Sequence, residues 1–111
     1  MSDNPPSDSV KIKARIVEQI RLGEVRFTLH AHQEMVAENF GLDEVSAALS
    51  HGELLEYYPE HKRGACALFN CATPDQRSVH IVCTTDNPVL IVITVYEPKL
   101  PKWLTPTQRN R

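Results

Sequence analysis

Glycine is scarce in this sequence, with four in 111 residues. None is spaced as a phosphate-cradling loop, and no Gly-x-Ser-x-Gly elbow occurs, so nucleotide-binding folds of that kind are disfavoured. Cysteine is sparse too. Cys66, Cys71 and Cys83 make an odd number without a Cys-x-x-Cys pair, which argues against a disulfide framework and for small buried hydrophobes. Long apolar runs are missing: the longest, Val89 to Val95, is interrupted by Thr94 and is far shorter than a membrane span. The opening MSDNPPSDS is polar and acidic, unlike a secretory leader. A cytoplasmic setting is expected, and no cofactor is implied.

Strong charge of either sign is also lacking, since the formal net charge is −2. The distribution is uneven. From Glu34 to Glu60 there are seven acidic residues and no Lys or Arg, whereas Lys99 to Arg111 has four basic residues and no acids. Local basic surfaces remain open to nucleic acid despite the average.

What is present is β-branched. Ser78 to Thr84 and Val89 to Tyr96 flank Asp86-Asn87-Pro88, and this reads as an antiparallel hairpin at the centre of a sheet. Alternation puts Val79, Ile81 and Cys83 on one face and His80, Val82 and Thr84 on the other. The register that keeps Val89, Ile91, Ile93 and Val95 together sets Thr84 across from Leu90, His80 across from Thr94, and Ser78 across from Tyr96. Upstream, a helix capped by Asp8 or Ser9 runs to about Leu22 with Val10, Ile12, Ile16, Val17 and Ile20 as its apolar stripe. A short strand follows at Arg26 to Leu29, then a helix from His30 to Phe40, with His32 on its packed side. A third helix is capped by Asp43 and ended by Gly52. Strands at Glu53 to Tyr58 and Ala65 to Cys71 complete the set, and Trp103 docks the tail. The predicted architecture is α+β, a single antiparallel sheet of about four to five strands with two to three helices on one face. Residues 1–8 read as a disordered leader, 9–104 as one domain and 105–111 as a basic tail.

His30-Ala31, Met35, Tyr58-Pro59, Arg63-Gly64, Cys66, Leu68, Arg77, His80-x-Val82, Ile93-Thr94-x-Tyr96-x-Pro98 and Trp103 together resemble a small bacterial family known only as a domain of unknown function. That family is grouped by fold with the RelE and BrnT toxins, the ribonuclease halves of toxin–antitoxin pairs. The resemblance spans about residues 26 to 104. It implies a metal-independent endoribonuclease acting on mRNA and neutralised by a cognate antitoxin. The sequence departs from the pattern at Gln76-Arg77-Ser78, where many relatives have Gly-Arg-Pro, and at Glu34, where many have Arg.

Metal-free RNA cleavage needs a base for the 2′-hydroxyl, a cation for the crowded phosphorane and an acid for the leaving oxygen. His80 is the foremost candidate for base or acid, because histidine titrates near neutrality. Tyr96 is a hydrogen-bond donor beside it, and Arg77 and Arg63 are bidentate phosphate holders. Lys62 and Lys102 are candidates for further RNA phosphates. Asn70 and Thr94 share the His80 face. His30 and Glu34, one helical turn apart, form a second constellation, read first as an exposed ion-pair face and second as a base with its orienting carboxylate. Zinc at His30-x-His32, or at His80 with Cys71 and Cys83, is disfavoured because these side chains diverge. The competing reading is a binding module of the same fold. It lacks nuclease activity, covers His80, and contacts a protein partner or a second copy of itself through the acidic stretch.

Overall fold

The computed structural model describes residues 9–110, so the expected leader and the Asp8 cap lie outside the described residues. The elements run α1 (Ser9–Arg21), β1 (Val25–Phe27), α2 (Leu29–Glu38), α3 (Leu42–Ser50), β2 (Glu53–Tyr58), β3 (Cys66–Ala72), β4 (Ser78–Thr84), β5 (Leu90–Tyr96), β6 (Trp103–Thr105) and β7 (Gln108–Arg109). Five strands form one sheet in the order β1-β5-β4-β3-β2, and β6 pairs with β7 in a separate hairpin. Helices segregated from a run of strands give the α+β class.

The sheet is mixed rather than wholly antiparallel. β1 runs parallel to β5, with Val25 opposite Leu90 and Phe27 opposite Val92. Tight turns join β2 to β5 and impose antiparallel neighbours. The chain between β1 and β5 is long enough to return in the same direction.

The hairpin register also differs from the alternating pattern. His80 lies opposite Tyr96, Val82 opposite Thr94 and Cys83 opposite Val92, so Ile93 is the extra residue of a β-bulge. A bulge switches the faces of the strand on either side of it. Leu90 and Val92 before it, and Val95 after it, are therefore all buried beneath the helices. A strict period of two cannot generate that set.

The first two helices bury narrower stripes than their composition suggests. In α1, Ile12 and Ile16 are buried, but Val10 and Val17 are 78% and 37% exposed. Gln19 occupies the inward position instead, donating its amide to the carbonyls of Asn87 at 2.8 Å and Pro88 at 3.1 Å. Lys13 donates to Gly52 O at 2.5 Å, closing the end of α3. In α2, Thr28 is the N-cap, its Oγ1 accepting from Ala31 N at 3.0 Å, and Asn39 at φ 59° is the left-handed C-cap. Ala31 and Met35 point inward, whereas His32 and Val36, read as packed or apolar-face residues, are exposed. The cap of α3 is Gly41 rather than Asp43, and Glu44 Oε1 accepts from Gly41 N at 2.9 Å. A carboxylate three residues on supplies the return arm of a capping box.

Between helices and sheet lies an apolar layer that includes Ile16, Met35, Val45, Leu49, Phe69, Val79 and Ile81. The cysteines are free and buried. Burial pushes the Cys71 thiol up to about 12 and raises Cys83 well above its usual value. Both are held as neutral, unreactive thiols. No helix among the described residues is long and apolar enough to cross a membrane.

Candidate functional site

The opposite face of the sheet mixes apolar residues such as Leu68 and Val82 with polar ones. Alternation along β3 and β4 sets Asn70 directly across from His80, and the bulge in β5 brings Tyr96 to its other side. A second irregularity in β2, at Leu55, leaves Leu54 and Tyr57 partly buried against the helix-side core. Glu56 stands opposite Leu68, on the His80 face. Over this face folds the β6–β7 hairpin, anchored by Trp103, which is 2% exposed.

His80 is sealed beneath that hairpin, at 0% exposure. Its Nε2 lies 2.6 Å from the carbonyl oxygen of Pro106, and its Nδ1 lies 3.1 Å from the Tyr96 hydroxyl. A carbonyl can only accept, so Nε2 carries the proton and Nδ1 accepts from Tyr96. Tyr96 in turn accepts from Trp103 Nε1 at 3.1 Å. The Trp103 ring meets the imidazole edge to face, with centroids 4.4 Å apart. Burial pulls the His80 pKa below its usual value, holding the ring neutral near pH 7. With both nitrogens engaged, His80, expected as base or acid, offers no free ring nitrogen to a substrate in this conformation.

Nearby, Arg109 forks onto Glu56 with both nitrogens at 2.8 Å and lies 4.5 Å from the Trp103 ring centre. Its guanidinium holds the Glu56 carboxyl below the usual carboxylate range. Tyr58 donates to Glu56 as well, and burial raises its phenol. None of Glu56, Tyr58 and Arg109 was legible as a site residue. The bulge that turns Glu56 inward and the hairpin that returns Arg109 have no signature in the sequence.

The two arginines proposed as phosphate holders are not at His80. Arg77 donates to the carbonyls of Glu38 at 2.8 Å and Asn39 at 3.0 Å and lies 4.0 Å over the Phe40 ring. It is a clamp on the C-terminal end of α2, where unpaired carbonyls and the helix dipole favour a cation. Arg63 and Lys62 are exposed in the β2–β3 turn, beyond the Thr84 end of β4. Asn70 donates to Glu53 at 3.4 Å.

The open concavity lies one strand over, between the start of α2 and the segment leading into β6. It is a cleft of about 560 Å³ whose walls include His30, Glu34, Thr94, Tyr96, Lys99 and Lys102. Its geometry follows from the shortness of β1. That strand stops pairing at Val92, leaving the outer edge of β5 without a neighbour beyond it. Side chains supply the missing partners: Thr28 Oγ1 donates to Ile93 O at 3.1 Å, Val95 N donates to Glu34 at 2.8 Å, and Glu97 N donates to Glu38 at 2.9 Å. Four helical residues rise about 6 Å and two strand residues about 6.8 Å, so carboxylates at i and i+4 match alternate amides of a strand. Glu34 spends one oxygen on the sheet and turns the other to His30 Nε2 at 3.3 Å. His30 itself remains mostly exposed. Five of the expected site residues thus converge on this cleft (His30, Glu34, Thr94, Tyr96 and Lys102), and Lys99 joins them without having been singled out.

Cys71 and Cys83 pack in the helix-facing core, away from the His80 face. No group of three or more potential metal ligands occurs among the described residues. In comparison with known proteins, the family model described as domain of unknown function (DUF4258) matches residues 27–97. No curated protein and no solved structure matches the chain.

Proposed function

The chain belongs to the DUF4258 family, a domain of unknown function, and from that premise we propose a RelE/BrnT-like, metal-independent endoribonuclease that acts in the cytoplasm and is held in check by a cognate antitoxin. The observation that carries this reading is the cleft, where an exposed His30 oriented by Glu34 faces the same opening as Lys99 and Lys102. His30 takes the proton of an RNA 2′-hydroxyl, and the freed oxygen attacks the adjacent phosphorus. The two ammonium groups offset the charge of the phosphorane, the bond to the 5′-oxygen breaks, and that oxygen receives a proton relayed by water from the His30 imidazolium. Products are a 2′,3′-cyclic phosphate and a 5′-hydroxyl. Glu34 stabilises the imidazolium without itself moving a proton. In this scheme Lys102 keeps its expected phosphate role, and His30 replaces His80 as the reacting histidine.

A second reading is favoured by one observation, the sealing of His80 under the hairpin. In it the domain is a binding module for a protein partner or a second copy of itself, without nuclease activity. Induced expression in a bacterial host separates the two. The enzyme reading expects growth arrest by the wild type, loss of arrest in His30→Ala and a partial loss in Lys102→Ala, with all proteins soluble. A well-folded wild type that causes no arrest and leaves RNA intact supports the binding module instead.

A further inference from the structure

We infer that the outer edge of β2 is a self-association surface, where a second copy of this chain adds its own β2 antiparallel across a two-fold axis at Leu55–Glu56. This surface is separate from the cleft and does not rest on the RNA reading. β2 ends the strand order, with β3 on one side and no strand on the other among the described residues. An edge strand presents a row of unpaired amides and carbonyls, which folded proteins usually guard with lysine, proline or a covering segment. The opposite edge is closed by side chains: Thr28, Glu34 and Glu38 bond β5 beyond the end of β1. β2 reads Glu-Leu-Leu-Glu-Tyr-Tyr, without Lys, Arg or Pro, and Leu54 to Tyr58 are half-buried. Its central charge, Glu56, is already neutralised by Arg109.

The bulge at Leu55 makes this edge self-complementary. In a strand, side-chain face and backbone direction alternate together, so opposed residues of two paired strands share a face. Leu54 and Tyr57 are three apart, which in a regular strand puts them on opposite faces. The extra residue brings both onto the helix side, opposite Phe69 and Ala67. Glu53 and Tyr58 share the other face, opposite Asn70 and Cys66. A two-fold axis at Leu55–Glu56 therefore sets Leu54 against Tyr57 of the second copy, and Glu53 against its Tyr58, with every face matched. Each contact occurs twice, and an isologous pairing of this kind closes at two copies.

The ends of the strand fit in the same register. Beside the start of β2 lies a groove of about 350 Å³ with Val10, Lys13, Gly52 and Leu54 in its walls. Val10 is 78% exposed there. Just past the end of β2, Pro59 and Glu60 stand exposed in the turn. Antiparallel pairing carries Pro59 of each copy to the apolar rim of the other copy's groove, and Glu60 to its Lys13. Lys13 spends one N–H on Gly52 O at 2.5 Å, which leaves two for a carboxylate. Within one chain these two charges sit at opposite ends of a strand about 20 Å long, so they meet only between copies. Two five-stranded sheets then join into one of ten strands. The cleft lies toward the other edge, beside β5, and stays open in each copy.

In a sedimentation-velocity concentration series, the purified full chain is expected to reach twice its 12.6 kDa mass. Alternate amides of β2 should exchange more slowly as the dimer fills, while those of β1 keep their rates. Lys13→Glu and Glu60→Lys each place two like-charged pairs in the interface and should raise the dimer dissociation constant about tenfold. Mixed in equal amounts, the two variants should regain the wild-type affinity as a heterodimer, because both contacts then join opposite charges. A wild type that stays monomeric throughout the series overturns the inference. So does a dimer whose β2 amides exchange at the monomer rate, and so do variants that fail to recover on mixing. The first two measurements need only the wild type and decide the matter even if a variant does not fold. Growth arrest and RNA cleavage enter none of these readouts, so the RNA reading stands or falls separately.

Discussion

The two faces of the sheet are held by different physics. Toward the helices lie apolar side chains and neutral thiols, whose attraction is non-directional and tolerant of small shifts. Toward the C-terminal hairpin lie His80, Tyr96, Glu56 and Arg109, whose hydrogen bonds depend on direction and protonation. The first face resists unfolding. The second sets where the hairpin sits, and with it the wall of the cleft. A change on the helix side should therefore appear as lost global stability, and one on the hairpin side as local loosening with the core intact.

The largest effect belongs to the helix side. Phe69→Ala empties a fully buried position and should cost about 3–5 kcal/mol in urea unfolding, with any loss of activity tracking the unfolded fraction. Next is Gly52→Ala, since an added Cβ would sit 2.5 Å from Cys71 Sγ and 3.3 Å from Asn70 O. Overpacking of this kind costs about 1–3 kcal/mol. The double variant with Cys71→Ala should recover part of the loss, and a Gly52→Ala protein as stable as the wild type would contradict the close contact.

On the hairpin side, Glu56→Gln breaks a partly exposed fork and should lower global stability by only about 1 kcal/mol or less. Hydrogen exchange at Trp103 to Arg109 should nevertheless rise well above that of β3 and β4. If exchange rises equally in the core, the distinction between the two faces fails. Acid should act in the same order. His80 and Glu56 both have lowered pKa values in the folded protein, His80 through burial and Glu56 through Arg109. Each therefore contributes stability that is complete above its unfolded pKa and is lost as pH falls through its folded value. The His80 contribution begins to fade below about pH 6.5 and that of Glu56 below about 4.3. Thermal unfolding of the wild type minus His80→Gln, followed against pH, should show the earlier of these losses. The smallest effect is expected at the β2–β3 turn. Lys62→Ala and Arg63→Ala should change stability by less than about 0.5 kcal/mol. They should also leave growth arrest unchanged where Lys102→Ala weakens it.

Much of this molecule was legible because hydrophobic period reports local structure directly. The helices and main strands follow the runs that predict them, and the placement of Asn70 on the His80 face follows from alternation. The site was less legible, and for identifiable reasons. The bulge at Ile93 inserts one residue into an otherwise regular strand, so the expected partner of His80 was Thr94 rather than Tyr96. Arg77 looked like a phosphate ligand because the carbonyls it clamps belong to a helix end 38 residues away in the chain. His30 and Glu34 were visible one helical turn apart, and Glu38 was not singled out. That the carboxylates complete a strand edge became visible only with β5 beside them.

By itself, the sequence determined the α+β class, the identity of the central hairpin, the burial of the cysteines and the docking of Trp103. These follow from side-chain period and burial preference, which act over a few residues. Only the tertiary structure decided that β1 runs parallel to β5, that His80 is enclosed and neutral, and that the open cleft belongs to His30, Glu34 and Lys102. Each of these depends on a group supplied from a distant part of the chain, and no local pattern encodes which donor will meet which acceptor.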